Sequence, residues 1–122
     1  MLIPVNWHCN HWILLVVRVD YHISNERILI FDSMREADAQ YTPLTNTVCA
    51  FLRLFSINAE PTWVTIVDCP QQGDLKSCGL YTCLAARHVV LGMPLLQRSE
   101  TLDLLATRRA MALELLRGQL AV

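Results

Sequence analysis

Four residues have the types that together can do covalent chemistry on an acyl group: Cys78, His11, Asp32 and Gln72. A thiol is a poor nucleophile at neutral pH until it is made a thiolate, and a helix N-terminus or a nearby imidazolium are two common ways of doing so. The segment CGLYTCLAARHVVL, starting at Cys78, reads as a buried helix stopped by Gly92 and Pro94. That places Cys78 at a helix N-terminus. The imidazole must come from elsewhere in the chain, and His11 stands at the head of an apolar run where it is a fixed point. A carboxylate at Asp32 would hold one His tautomer and favour its charged form. An oxyanion forming on an attacked carbonyl needs donors, which the backbone N–H of Cys78 and the side-chain amide of Gln72 can supply.

These positions need a scaffold that brings them together. After a short entry, Met1 to Asn10, the run HWILLVVRVD is apolar on both faces and predicts a central strand. RILIF, ending at Asp32, predicts a second strand, and a reversal at Tyr21-His22 makes an antiparallel hairpin with His11 opposite Asp32. READAQ is a solvated link. Thr42 can then cap a helix with Pro43 at its first position, and Leu44, Val48, Phe51, Leu52 and Phe55 recur at helical spacing for packing on the hairpin. WVTIVD predicts a third strand, and CPQQGDLKS, with its Pro and Gly, is a loop. A last helix, capped by Ser99 and stopped near Gly118, carries Leu102, Leu105, Arg109, Leu113 and Leu116 as a mostly apolar stripe.

Composition bounds the answer. With 122 residues, 53% of them hydrophobic, the chain has the material for one globular α/β (α+β) domain with a packed core. A net charge of −1, with the basic residues scattered, leaves no electrostatic footprint for nucleic acid. The longest apolar run, Trp12 to Val17, is far too short to cross a bilayer, and the reading is of a chain inside the cell, in nucleus or cytoplasm. The odd count of five cysteines lacks the paired spacing of a disulfide framework, so most are read as free thiols. His8, Cys9 and His11 lack the second cluster that a structural zinc needs, and no metal or cofactor is implied.

Taken singly, a Cys in an apolar helix usually packs and a His beside a strand is usually structural. Cys83 reads as core, His8 and His22 as solvated loop residues, His88 as a helix-surface residue, and Trp7 and Trp63 as packing aromatics. Jointly the pattern is more specific. IPVN followed by His11-Trp12, then IFDS with Asp32, then PQQ with Gln72, then CGLYTC with Cys78, resembles the signature of the ubiquitin-like-protein-specific (SUMO protease) cysteine protease family. The order His, Asp, Gln, Cys separates this family from papain itself, where the Cys comes first. The resemblance covers roughly 2–91 and implies a papain-like fold, with residues 92–122 supplying a C-terminal helix to the single domain. It implies His11 as general base, Asp32 as its orienting acid, Gln72 as oxyanion donor and Cys78 as nucleophile. Trp12 matches the aromatic that roofs the narrow substrate tunnel for the diglycine tail.

The function so implied is a thiol protease or isopeptidase cutting after the Gly-Gly of a SUMO-type modifier, with that protein or its conjugates as partner. The sequence departs from the family where Asn-Gly-x-Asp-Cys is usual, having Asp74-Leu75-Lys76-Ser77-Cys78 instead. It also begins almost directly on the strand leading to His11, ahead of which family members carry a substantial region. A truncated catalytic domain would be a weak enzyme, or an inactive binding module, and a partner or self-association would cover what the absent region leaves bare. Acyl transfer by the same thiol chemistry is a further reading.

Overall fold

The computed structural model describes residues 1–18 and 27–119. Four strands, β1 (Leu2–Trp7), β2 (His11–Val17), β3 (Ile28–Phe31) and β4 (Val64–Ile66), form one sheet in the order β1-β2-β3-β4. The first two pairings are antiparallel and β3 pairs with β4 in parallel. Helices α1 (Thr42–Arg53), α2 (Cys78–Val90) and α3 (Leu104–Arg117) follow the chain order.

β2 is central, and its continuous apolar run has a physical reason. Ile13, Leu15 and Val17 point to one face, where they meet Leu44, Val48 and Leu52 of α1. Leu14 and Val16 point to the other, where Ala85, Ala86 and Val89 of α2 cover them. Alternate side chains of a strand point to opposite faces, so a strand covered on both sides must be apolar throughout. The hairpin of β2 and β3 is as the sequence predicts; its turn at Tyr21-His22 lies outside the described residues.

The entry segment is a strand rather than a loose lead-in. Ile3, Val5 and Trp7 alternate with exposed Pro4 and Asn6, the period of an edge strand, and Pro4 is tolerated there. The connection to β2 hides the hairpin from sequence, because it contains no glycine. His8 and Cys9 both adopt positive φ, 53° and 64°, in a turn closed by the Asn10 N–H on the Trp7 carbonyl. Left-handed backbone costs a residue with a side chain about 1–2 kcal/mol, and the β1–β2 ladder holds it in place.

Other boundaries shift for local reasons. Thr42 is the first residue of α1 and not its cap; Tyr41, at the end of a 3-10 turn over Asp38–Tyr41, precedes it without a side-chain capping bond. The buried face of α1 is Leu44, Thr45, Val48, Cys49 and Leu52, while Phe51 and Phe55 are exposed and pack edge-on against each other. α2 stops as its sequence predicts: Gly92 takes a positive φ of 63°, which lets the Met93 N–H reach the His88 carbonyl. α2 is partly rather than fully covered, with Cys83 exposed instead of in the core. His88 is buried, not a surface residue, because its Nδ1 meets the Pro94 carbonyl at 2.7 Å.

α3 is capped by Asp103, whose carboxylate accepts from the Ala106 N–H, and not by Ser99. It ends at Gly118. Its leucine stripe does not form a packing face: Leu105, Leu113 and Leu116 are exposed, and Glu114 is the side chain of α3 that is buried. Glu114 Oε1 accepts from Nε and Nη2 of Arg87 at 2.9 and 2.7 Å, so a buried ion pair ties α3 to α2.

Candidate active site

Asp32 lies one residue beyond β3, only 1% exposed, and its acceptor capacity is heavily used. Oδ1 accepts from the Met34 N–H at 2.8 Å and meets His11 Nε2 at 2.6 Å, while Oδ2 accepts from the Tyr41 hydroxyl at 2.6 Å. Burying a carboxylate is costly unless it is hydrogen-bonded in this way. Tyr41 is itself fixed, stacked on Trp7 with ring centroids 6.4 Å apart, and it also accepts from the Glu36 N–H. Burial, and then its bond to Asp32, raise the Tyr41 phenol above its ordinary range, so it stays a neutral donor.

The imidazole is oriented by this carboxylate. With Nε2–H donated to Asp32, the neutral ring presents Nδ1 as its free, basic nitrogen. His11 is the first residue of β2, and α2, which begins with Cys78, packs on β2. The two elements are pinned near their starts: Thr82 Oγ1, one helical turn after Cys78, donates to the carbonyl of Trp12 at 3.1 Å. The residues at the thiol end of the helix and at the imidazole end of the strand thus share one corner of the molecule.

The loop from β4 to α2 is tied to the same corner. Gln71 Nε2 donates to the Asp32 carbonyl at 2.9 Å and its Oε1 accepts from the Arg35 N–H. Cys69, whose thiol burial pushes upward in pKa, donates to the same Asp32 carbonyl. Gln72 Oε1 accepts from the Ser33 hydroxyl at 2.5 Å, and Nε2 donates to the Asp74 carbonyl at 2.6 Å. An amide nitrogen carries two protons, and the Asp74 carbonyl takes one of them. The Asp74 carboxylate, held below the usual range first by the Ser77 hydroxyl and then by the Lys76 N–H, gathers the last loop turn. It accepts from the N–H groups of Lys76 and Ser77 at 2.8 and 2.7 Å and from Ser77 Oγ at 2.6 Å. Ser77 then leads into Cys78, which heads α2 with 8% of its surface exposed, and the first N–H groups of a helix lack intrahelical acceptors.

The site thus presents a strand-borne imidazole on a buried carboxylate and a thiol at the head of a helix that packs on the same strand. The family model of the Ulp1 protease family, C-terminal catalytic domain, matches residues 1–119. The chain belongs to that family. Among solved structures, the fold is similar to the SUMO protease Ulp1 with its catalytic cysteine oxidised to a sulfonic acid. The TM-score there is 0.74 at 22% identity, over 96% of this chain and 52% of that one. It is also similar to the C-terminal Ulp1 protease domain in complex with Smt3, the yeast ortholog of SUMO, with a TM-score of 0.72 at 23% identity over 95% of this chain and 51% of the other. The chain therefore spans about half the length of these structures. No curated protein sequence matches it significantly.

Of the residues singled out from sequence, the structure joins His11 to Asp32 directly, ties Gln72 to Ser33 beside Asp32, and sets Cys78 at the head of α2. Trp12 is 44% exposed beside His11. His8 is exposed, as read, and lies 3.3 Å from Glu36. Sequence reasoning missed Tyr41 and Gln71, which hold Asp32 from either end. Tyr41 could have been noticed as an aromatic just ahead of the Thr-Pro helix start, and Gln71 as the twin of Gln72. All five cysteines are free, and among the described residues no helix is long and apolar enough to cross a membrane.

Proposed function

We propose that the chain is the thiol-bearing part of a protease or isopeptidase that cuts after the C-terminal Gly-Gly of a SUMO-type modifier. The observation that carries the reading is the 2.6 Å contact of His11 Nε2 with the buried Asp32 carboxylate, which leaves Nδ1 basic on the strand against which the Cys78 helix packs. His11 Nδ1 takes the Cys78 proton as Sγ attacks the terminal glycine carbonyl carbon. The Cys78 N–H and the second Gln72 amide proton meet the oxyanion. Collapse expels the amine, which regains the proton from the imidazolium, and leaves a thioester. Water, deprotonated by the same imidazole, then attacks the thioester, releasing the modifier as a carboxylate and restoring the thiol.

Two features support a diglycine substrate. Cys78 is nearly covered, so a segment without side chains reaches it most easily, and Trp12 offers an exposed aromatic wall beside the base. Free thiols throughout the chain and a ubiquitin-like substrate are consistent with a place in nucleus or cytoplasm.

Labelling with a panel of SUMO, NEDD8 and ubiquitin probes bearing C-terminal electrophiles tests the reading. The SUMO probe should form a covalent adduct that Cys78→Ala abolishes. An adduct with another modifier alone would reassign the substrate, and binding of the modifier without any adduct would make the chain a binding module.

A further inference from the structure

α3 touches the loop before Cys78 at a polar point whose consequences spread. Arg108 Nη2 donates to Ser77 Oγ at 2.9 Å, and Ser77 Oγ in turn donates to Asp74 Oδ2 at 2.6 Å. A hydroxyl has one proton to give and lone pairs to accept with, so both bonds are made at once. Ser77 is 1% exposed and immediately precedes Cys78. Asp74 holds the backbone of Lys76 and Ser77 through its carboxylate and the Gln72 amide through its carbonyl. The chain of contacts from Arg108 thus ends on both proposed reacting groups of the loop.

Two further observations bear on it. The positive charge of Arg108 is among the causes that hold the Asp74 carboxylate below its usual range. The second attachment of α3, Glu114 to Arg87, lies farther along α2, so the two contacts fix α3 alongside that helix from its head onward.

We propose that Arg108 is a positioning residue, acting through Ser77 and Asp74 to set the Cys78 thiol and the Gln72 amide relative to each other. The proposal rests on the reading of Cys78 as nucleophile. It gives α3 a task that its exposed leucines do not: the helix is a buttress for the loop rather than a second layer of core.

The test compares the wild-type chain with Arg108→Met, which keeps the stem and removes the donor, Arg108→Lys, which keeps a charged donor, and Arg117→Met as a charge-matched control on the same helix. Iodoacetamide labelling of each cysteine at neutral pH is followed by mass spectrometry, together with thermal unfolding and, on a Gly-Gly fluorogenic substrate, kcat and KM. Arg108→Met should slow Cys78 labelling and lower kcat about tenfold, below the roughly hundredfold that an ångström of misplacement can cost. KM and the labelling of Cys9 should stay unchanged, Arg108→Lys should recover part of the loss, and Arg117→Met should behave as wild type. Equal Cys78 labelling in wild type and Arg108→Met overturns the proposal, as does a loss shared by Arg117→Met or one that follows the melting temperature. A wild-type Cys78 that labels no faster than Cys9 refutes the nucleophile reading itself and removes what Arg108 would position.

Discussion

The two sides of the candidate site are built differently. On the sheet side, His11 and Asp32 stand at strand ends, and the carboxylate is sealed beneath Tyr41 and the backbone of Met34. On the loop side, Gln72 and Cys78 depend on short side-chain bonds around Asp74 and on an arginine reaching from α3. The first is held by the core of the fold, the second by polar bonds of a loop that converge on the buried Ser77 hydroxyl. A change on the sheet side should therefore damage chemistry and stability together, and a change on the loop side should alter rate with little loss of fold.

The largest effect is expected at Asp32. Asp32→Asn removes the charge that steadies the imidazolium and allows the wrong His11 tautomer, and loss of that orienting group lowers kcat by about 10⁴-fold. Turnover of a Gly-Gly fluorogenic substrate, with circular dichroism to show that the variant folds, measures it. A loss of only about tenfold, the scale of a merely supporting hydrogen bond, would erase the distinction between the two sides.

Next comes the core on which the sheet side rests. Leu52 is fully buried between α1 and the β2–β3 face, whereas Leu115 on α3 is exposed. Leu52→Ala should cost about 2–5 kcal/mol in urea unfolding, and Leu115→Ala no more than about 0.5 kcal/mol. Comparable losses would mean that α3 is as much part of the core as α1.

Tyr41 sharpens the comparison through pH. Its phenol is raised above the ordinary value of 10.0 by burial and by Asp32, so the folded state keeps the proton that the unfolded state gives up. That stabilisation is complete below pH 10 and is lost as pH rises beyond it. Tyr41→Phe should cost about 1.5–3 kcal/mol at neutral pH, the value of a hydrogen bond to a charged group, because it leaves the buried Asp32 carboxylate a donor short. The variant should also show a smaller alkaline fall than wild type, keeping only the part due to the buried thiols Cys49 and Cys69 and to Tyr81, which unfolding midpoints from pH 8 upward would show.

How much of this was legible in sequence follows the same division. The run Ile13 to Val17 and the run Ile28 to Phe31 announce strands because their burial on both faces leaves them no polar alternation to hide behind. The adjacency of His11 and Asp32 follows from their being neighbouring strand ends. β1 was hidden by a glycine-free turn, whose left-handed residues only the ladder on either side can hold. The exposed leucines of α3 and the buried His88 misled because helical spacing says which residues share a face, not whether that face is covered; coverage is a property of the neighbours. The contact of Arg108 with Ser77 joins residues 31 positions apart in sequence, a separation at which no local spacing rule operates.

The smallest effect is expected at Asp74, and it is the one most specific to the loop side. The carboxylate accepts from three donors of Lys76 and Ser77, and the Ser77 hydroxyl is the main cause of its lowered pKa. In the unfolded chain those donors are gone and the group titrates near its ordinary 3.8. Its contribution to stability is thus present above pH 3.8 and lost as pH falls through the lower folded value. Asp74→Ala should lower the melting temperature slightly at pH 6, and the gap from wild type should close in acid. Because the same residue holds Gln72 and leads into Cys78, turnover should fall about tenfold while Asp32, Tyr41 and the sheet are untouched. A melting-temperature gap that persists in acid would show that Asp74 acts by packing and not by charge. Unchanged turnover would show that the loop can lose this anchor and still place both groups, leaving Arg108 nothing to act through.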